Sequence, residues 1–185
     1  TAQAAFGADT AAFLRLFPAS DDAGAVAMAR QVAHLSGFAT ASRQCARDQA
    51  GIGQAAYIDE FSRKHPYAPR VRFADQDPAT VGAYHTGDIP YWLGTLDVYN
   101  SLRRTRDWTP YDRALSARMM DYLISFARDG RPGTSWPAWT AGNERENTFG
   151  NSVAVRSLDT ARLDWLEAHP IVRTTLPPRP GSPRD

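Results

Sequence analysis

Gly82-Ala-Tyr-His85-Thr-Gly-Asp-Ile-Pro-Tyr-Trp-Leu-Gly94 is the stretch of this 185-residue sequence on which the fold turns. Glycines bracket it, and Gly87 and Pro90 punctuate its middle, so it reads as a loop that passes into a short turn at residues 89–93. It carries an imidazole beside aromatic residues. The other three histidines have plainer settings. His34 sits mid-helix among alanines, and His65 precedes Pro66 in a polar loop. His169 precedes Pro170 at a helix end, where a cation suits the helix dipole. His85 alone follows a long loop and precedes a glycine. Loops set at the end of a strand are common seats for functional groups.

Upstream, residues 64–80 are rich in proline, charge and isolated aromatics, and read as a long loop of the kind that is usually functional. Before it, Tyr57, Ile58 and Phe61 suit a short strand. Gly51-Ile-Gly53 closes a helix predicted over residues 38–50. Earlier still, the Ser20-Asp21-Asp22 run opens a helix through Val26, Ala29, Val32 and Ala33, which Gly37 is expected to break. Asp9 is placed to cap a helix running through Phe13 and Leu14 to Phe17, closed by Pro18.

Downstream, residues 112–129 form the clearest helix, with Leu115, Met119, Tyr122, Leu123 and Phe126 on one apolar face. Gly130 and then Pro132 follow in the order expected at a C-terminus. Trp136-Pro-Ala-Trp139 reads as an aromatic clasp. Thr148-Phe149 and Val153-Ala-Val155 around Gly150-Asn151 predict a hairpin. Asp159 caps a last helix with Leu163, Trp165 and Leu166 inside. Helices are many and strands few. A sheet of two or three short strands is barely stable alone, so these read as edge members of a larger sheet.

Composition narrows the function. Hydrophobic residues make up 43%, enough for a globular core. Lys+Arg total 21 against 20 Asp+Glu, a net charge of +1 that gives no reason to expect nucleic acid as partner. The Arg103-Arg104-x-Arg106 cluster reads as a solvated loop before Pro110. No apolar run approaches bilayer length, and no membrane partner is expected. The single cysteine, Cys45, makes no internal disulfide and reads as a structural thiol in a helix. The histidines lack metal-ligand spacing and there is no glycine-rich phosphate loop, so no metal or other cofactor is expected. No G-x-S-x-G elbow is present either. Residues 176–185 read as a proline-rich tail after a segment spanning residues 1–175.

Residues 82–94 resemble the histidine loop of type B carboxylesterases, the group that includes para-nitrobenzyl esterases and cholinesterases. Those enzymes show a small-aromatic pair, a histidine, a glycine, an acidic residue, an apolar segment and Phe-Gly. Residues 115–132 with Trp136-Pro-Ala-Trp139 look like the family's next helix and Pro-Trp segment, in the same order and at similar spacing. Residues 55–61 look like the strand before the histidine loop. Thr86 stands where the family usually has glycine, with Gly87 one place later.

The resemblance implies the C-terminal portion of an α/β-hydrolase, with helices flanking the last strands of a mostly parallel sheet. It implies that His85 is the general base at the C-terminal end of a strand, that Asp88 orients the loop, and that Tyr84 and Gly87 border the substrate pocket. A plain capping role for Asp88 is equally compatible. The first helices are expected to border the acyl or alcohol pocket. The serine nucleophile, oxyanion hole and triad acid are expected on an N-terminal segment of the same esterase, which is then the partner, with a small-molecule ester as substrate. A secreted or periplasmic location is compatible with the family, and no signal peptide is visible at the start. Two other readings compete: a non-catalytic esterase-like binding module, since the fold does not guarantee the chemistry, and an unrelated helical domain.

Overall fold

In the computed structural model, which describes residues 2–171, the chain begins with helix α1, Ala2–Phe6. A 3-10 turn, Gly7–Asp9, joins it to α2, Thr10–Leu16. Asp9 stands at the expected cap position just before α2, but its side chain makes no cap hydrogen bond. Helix α3, Asp22–His34, does start as expected: Asp21 accepts from the Gly24 amide at 2.7 Å. Gly37 does not break the helix. Residues Leu35–Ala39 form a π-helical turn that carries the backbone on into α4, Thr40–Gly51. A widened turn keeps its amides bonded, so the helix continues through the glycine at little cost. The proline-rich residues 176–185 lie outside the described residues.

The chain divides into two compact units. The first holds residues 2–45 and 159–171, including α7, Thr160–Ala168. Phe17, Val32 and Leu166 form its core, with Phe13, Met28 and Trp165 packed against them. Rings of Phe6 and Phe13 stack at 4.5 Å, and those of Phe13 and Phe17 at 4.9 Å. Buried Arg43 donates to Asp164 at 2.6 Å and to Glu167 at 3.2 Å, which ties α4 to α7. His169 lies flat on Trp165, with centroids 4.1 Å apart, and its Nδ1 lies 2.9 Å from the Trp165 carbonyl.

The second unit, Ala46–Leu158, contains the strands. Strand β1 is Ile58–Phe61, and after a long loop comes α5, Ile89–Trp92. A 3-10 turn at Leu96–Asn100 leads to α6, Pro110–Asp129. A hairpin follows, β2 Arg145–Phe149 and β3 Val153–Ser157. β2 lies in the middle of the three-stranded sheet, parallel to β1 with Ile58 opposite Glu146, and antiparallel to β3 with Phe149 opposite Val153. Its core is Tyr91, Leu96, Leu115, Met119, Tyr122, Trp136 and Phe149. The Trp136–Trp139 segment is buried against the start of β1. Trp136 Nε1 donates to the Ile58 carbonyl at 3.2 Å, and the Trp139 amide to that of Ala56 at 2.8 Å.

α6 owes its ends to local chemistry. Thr109 and Asp112 form a reciprocal capping box, Pro110 stands in the first turn, and Gly130 takes the left-handed conformation at φ 69° that ends the helix. Its predicted apolar face needs correction. Leu115, Met119 and Tyr122 are buried, but Leu123 is 42% and Phe126 46% exposed. Leu123, about 80° round the helix from Leu115, lies on the same side as buried Asp112 and Ser116 but in the last two turns of the helix. Phe126 lies on the stripe near its end, where its ring meets Tyr57 edge-on at 5.9 Å. Among the described residues, no helix is long and apolar enough to cross a membrane.

Candidate active-site loop

The loop leaving the C-terminal end of β1 carries His85. A turn closed by the Gly87 amide on the Tyr84 carbonyl, at 2.9 Å, puts His85 and Thr86 at its two central positions. Both are exposed. Thr86 has φ 68°, the left-handed region that a glycine would occupy without strain. The backbone therefore keeps the path of a glycine-bearing turn while holding a β-branched residue. The left-handed conformation costs about 1–2 kcal/mol for an ordinary residue, against roughly 0.5–1 kcal/mol of extra chain entropy for glycine. Thr86→Gly is therefore expected to raise the urea midpoint of unfolding slightly, and a lowered midpoint would contradict the strained geometry.

Asp88 follows the turn at the start of α5. Its Oδ2 accepts from Trp92 Nε1 at 3.1 Å, and its carbonyl accepts from the Tyr91 and Trp92 amides. Its side chain makes no cap hydrogen bond. Tyr84 and Gly87, expected at the substrate pocket, have their partners inside the protein. The Tyr84 hydroxyl lies 3.1 Å from His65 Nδ1, and the Gly87 carbonyl 2.7 Å from His65 Nε2. A Cβ on Gly87 would fall 2.9 Å from the Tyr84 carbonyl oxygen, so this position needs glycine for close approach. Tyr91 is buried and donates to Asp112 at 2.8 Å.

The residue that sequence reasoning missed is His65. It is not an exposed loop residue but 4% exposed, ringed by Tyr84, Tyr91, Tyr99 and Trp108 with centroids 5.1–5.8 Å away. Nδ1 receives the Arg106 Nε–H at 3.1 Å. Arg106 cannot accept, so Nδ1 is unprotonated and Nε2 carries the proton that bonds Gly87. Arg106 is buried too, with its guanidinium 3.9 Å from the Tyr67 ring centroid and 5.1 Å from that of Tyr99. Burial, with the Arg106 charge adding to it, pushes the His65 pKa down to about 4.

That shift predicts an acid-sensitive unit. His65 stays neutral in the folded chain below the pH at which an unfolded histidine takes up a proton. Its contribution is complete above pH ~6.5 and is lost as pH falls to about 4, by about 3 kcal/mol in total. Urea midpoints at pH 7.5, 6 and 5 should fall progressively. Midpoints independent of pH over that range would contradict a buried neutral His65.

A second network, around Asp112, fixes α5 and α6 to the base of the loop. Its carboxylate is fully buried. Oδ1 accepts from Arg63 Nε at 2.7 Å and from the Tyr91 hydroxyl at 2.8 Å. Oδ2 accepts from Arg63 at 3.1 Å and from the Thr109 amide at 3.0 Å. Burial alone would raise this acid, but Arg63, Thr109 and Tyr91 more than offset it and hold it at about 2. Asp59 on β1 behaves oppositely. Desolvation, then the nearby Asp88 and Glu146 charges, raise it to about 7, although the residue is exposed and water screens part of these charges.

Within the first unit lies an apolar cavity of about 770 Å³ lined by Phe6, Phe13, Phe17, Met28, Val32 and Phe38. Among the described residues, no cluster of three His, Cys, Asp or Glu side chains is placed to hold a metal ion.

Helices packed on a small mixed sheet with a parallel strand pair match part of an α/β-hydrolase fold. The model of the carboxylesterase family matches residues 16–163, and the chain belongs to that family. Carboxylesterase 5A of Mus musculus is 29% identical over 132 residues, which cover 69% of this chain and 22% of that protein. Carboxylesterase 5A of Canis lupus familiaris is 29% identical over 145 residues, covering 75% and 24%. The chain thus spans about a quarter or less of the curated relatives it matches. An esterase from Clostridium hathewayi, described as able to hydrolyse aliphatic aromatic polyesters, shares the fold. It superposes with a TM-score of 0.52 at 22% identity, over 67% of this chain and 23% of that one.

Proposed function

We propose that this chain is the histidine-bearing segment of a serine carboxylesterase, and that His85 is its general base. The observation that carries the proposal is the His85 turn, which presents an exposed imidazole on a loop bonded from beneath by His65. The family match covers this turn. An imidazole suits the role because its proton affinity lies near neutral pH.

The serine, the oxyanion donors and the triad acid belong, in this proposal, to an N-terminal segment of the same esterase, the sequence here having no G-x-S-x-G elbow. The serine hydroxyl attacks the ester carbonyl as His85 takes its proton. His85 then gives that proton to the departing alkoxide, which leaves as the alcohol. Water, deprotonated by His85 in turn, releases the acid from the acyl-enzyme. Asp88 orients the turn through Trp92. Substrate approaches on the His85–Thr86 side, since Tyr84 and Gly87 are engaged with His65.

Hydrolysis of p-nitrophenyl acetate by the enzyme containing this segment tests the proposal. Loss of kcat in His85→Ala, with a smaller loss in Asp88→Ala, is the expected result. Turnover undiminished in His85→Ala would exclude His85 as the base.

A further inference from the structure

We propose that His65 is the positioning residue of the His85 turn: its Nε2–H clamps the Gly87 carbonyl, and Arg106 and Tyr84 hold the ring in place at Nδ1, a hold that needs the neutral imidazole. This rests on the assignment of His85 as the base only for its catalytic consequence. The geometry of the clamp stands by itself.

Gly87 closes the turn that carries His85 and Thr86, and its carbonyl receives the His65 donor at 2.7 Å. The next bond along the chain, from the Ile89 amide to the Thr86 carbonyl, is 3.2 Å, the upper end of the ordinary range. The strained Thr86 lowers the turn's own stability, so an external anchor matters. His65 is such an anchor, fixed on its other side by two partners at 3.1 Å.

Protonation would break the arrangement from the Nδ1 side. Nδ1–H would face the Arg106 Nε–H, donor against donor, with two cations in one aromatic cage. The Tyr84 hydroxyl can turn to accept, but Arg106 cannot. The titratable and charged groups facing His65 come from every side: Tyr67 and Tyr84 from the loop itself, Tyr91 from α5, Tyr99 from the 3-10 turn, and Arg106 after it. Arg63 and Asp112 add their charges, the first opposing protonation of His65 and the second favouring it. Burial and Arg106 keep the imidazole neutral at neutral pH. The anchor is therefore complete there; in acid the Nε2–H bond to Gly87 remains available, but the ring loses the Arg106 contact that holds it in register.

His65→Gln places a non-titrating N–H donor near the Nε2 position, and His65→Phe fills the space without a donor. Amide hydrogen exchange of the whole chain, followed by NMR, reads the Gly87 and Ile89 amides against Met119 in α6. Phe is expected to speed exchange at Gly87 and Ile89 by about tenfold, the loss of one buried hydrogen bond, with Met119 unchanged. Wild type is expected to lose protection at these two amides on acidification, and His65→Gln to keep it. Unchanged Gly87 exchange in His65→Phe would overturn the proposal. If His65→Phe also exposes Met119, the Gln variant decides: an acid step like that of wild type overturns the clamp, and its absence supports it. In the enzyme containing this segment, His65→Phe is expected to lower kcat at unchanged KM, with recovery in His65→Gln. A wild type without ester turnover would end the esterase proposal and leave the exchange result to judge the clamp.

Discussion

Asp112→Ala is expected to destabilise the second unit by about 3–5 kcal/mol, the cost of breaking a buried ion pair from one side. The carboxylate is fully buried and accepts from Arg63, Tyr91 and Thr109 at once. Alanine would leave the Arg63 guanidinium and the Tyr91 hydroxyl without their acceptor, and would remove the reciprocal half of the α6 capping box. Each unsatisfied buried group costs about 1–3 kcal/mol, so the losses accumulate over several partners. Asp112→Asn keeps the shape and an acceptor oxygen but not the charge, and should cost less. Urea unfolding followed by tryptophan fluorescence measures both, because Trp92, Trp108 and Trp136 pack in or against the core cluster. An Asp112→Ala midpoint equal to that of wild type would mean the network is not what holds α6 to the loop.

His85→Ala is expected to lower kcat by about 10³-fold or more in the enzyme containing this segment, since a triad fails as a unit when one member is removed. The magnitude separates the two competing roles. A histidine that only packs or shapes the turn would cost far less, of the order of the Asp88→Ala effect. A residual rate above water would persist from binding and oxyanion stabilisation. A loss of less than tenfold would mean that another group handles the proton and that His85 only shapes the turn.

What could be read from the sequence follows the range of the forces involved. α6 was legible because its signals are local: the Leu115–Met119–Tyr122 stripe and Gly130 lie within the helix or next to it, while the Thr109 cap and Pro110 start, two residues before the expected Asp112, were not read. The hairpin was legible from Gly150-Asn151 for the same reason. Gly37 misled because a glycine's propensity is a weak local term, and the π-helical turn overrides it by keeping the backbone bonded. Leu123 and Phe126 misled because periodicity marks a face but not how far the covering layer extends. His85 was singled out by its loop and by family likeness. The function of His65 was out of reach: its bonds go to Gly87, Tyr84 and Arg106, which lie 22, 19 and 41 positions away. Only the folded backbone brings an unremarked His-Pro beneath the turn.

His85 is expected to serve a serine carried by a segment outside these 185 residues. Labelling the purified enzyme with a fluorophosphonate probe, read by denaturing intact-mass spectrometry with peptide mapping, tests it most directly. The expected result is an adduct on a serine outside this sequence, lost in His85→Ala. An adduct on a serine within these 185 residues, or labelling that persists in His85→Ala, would contradict it.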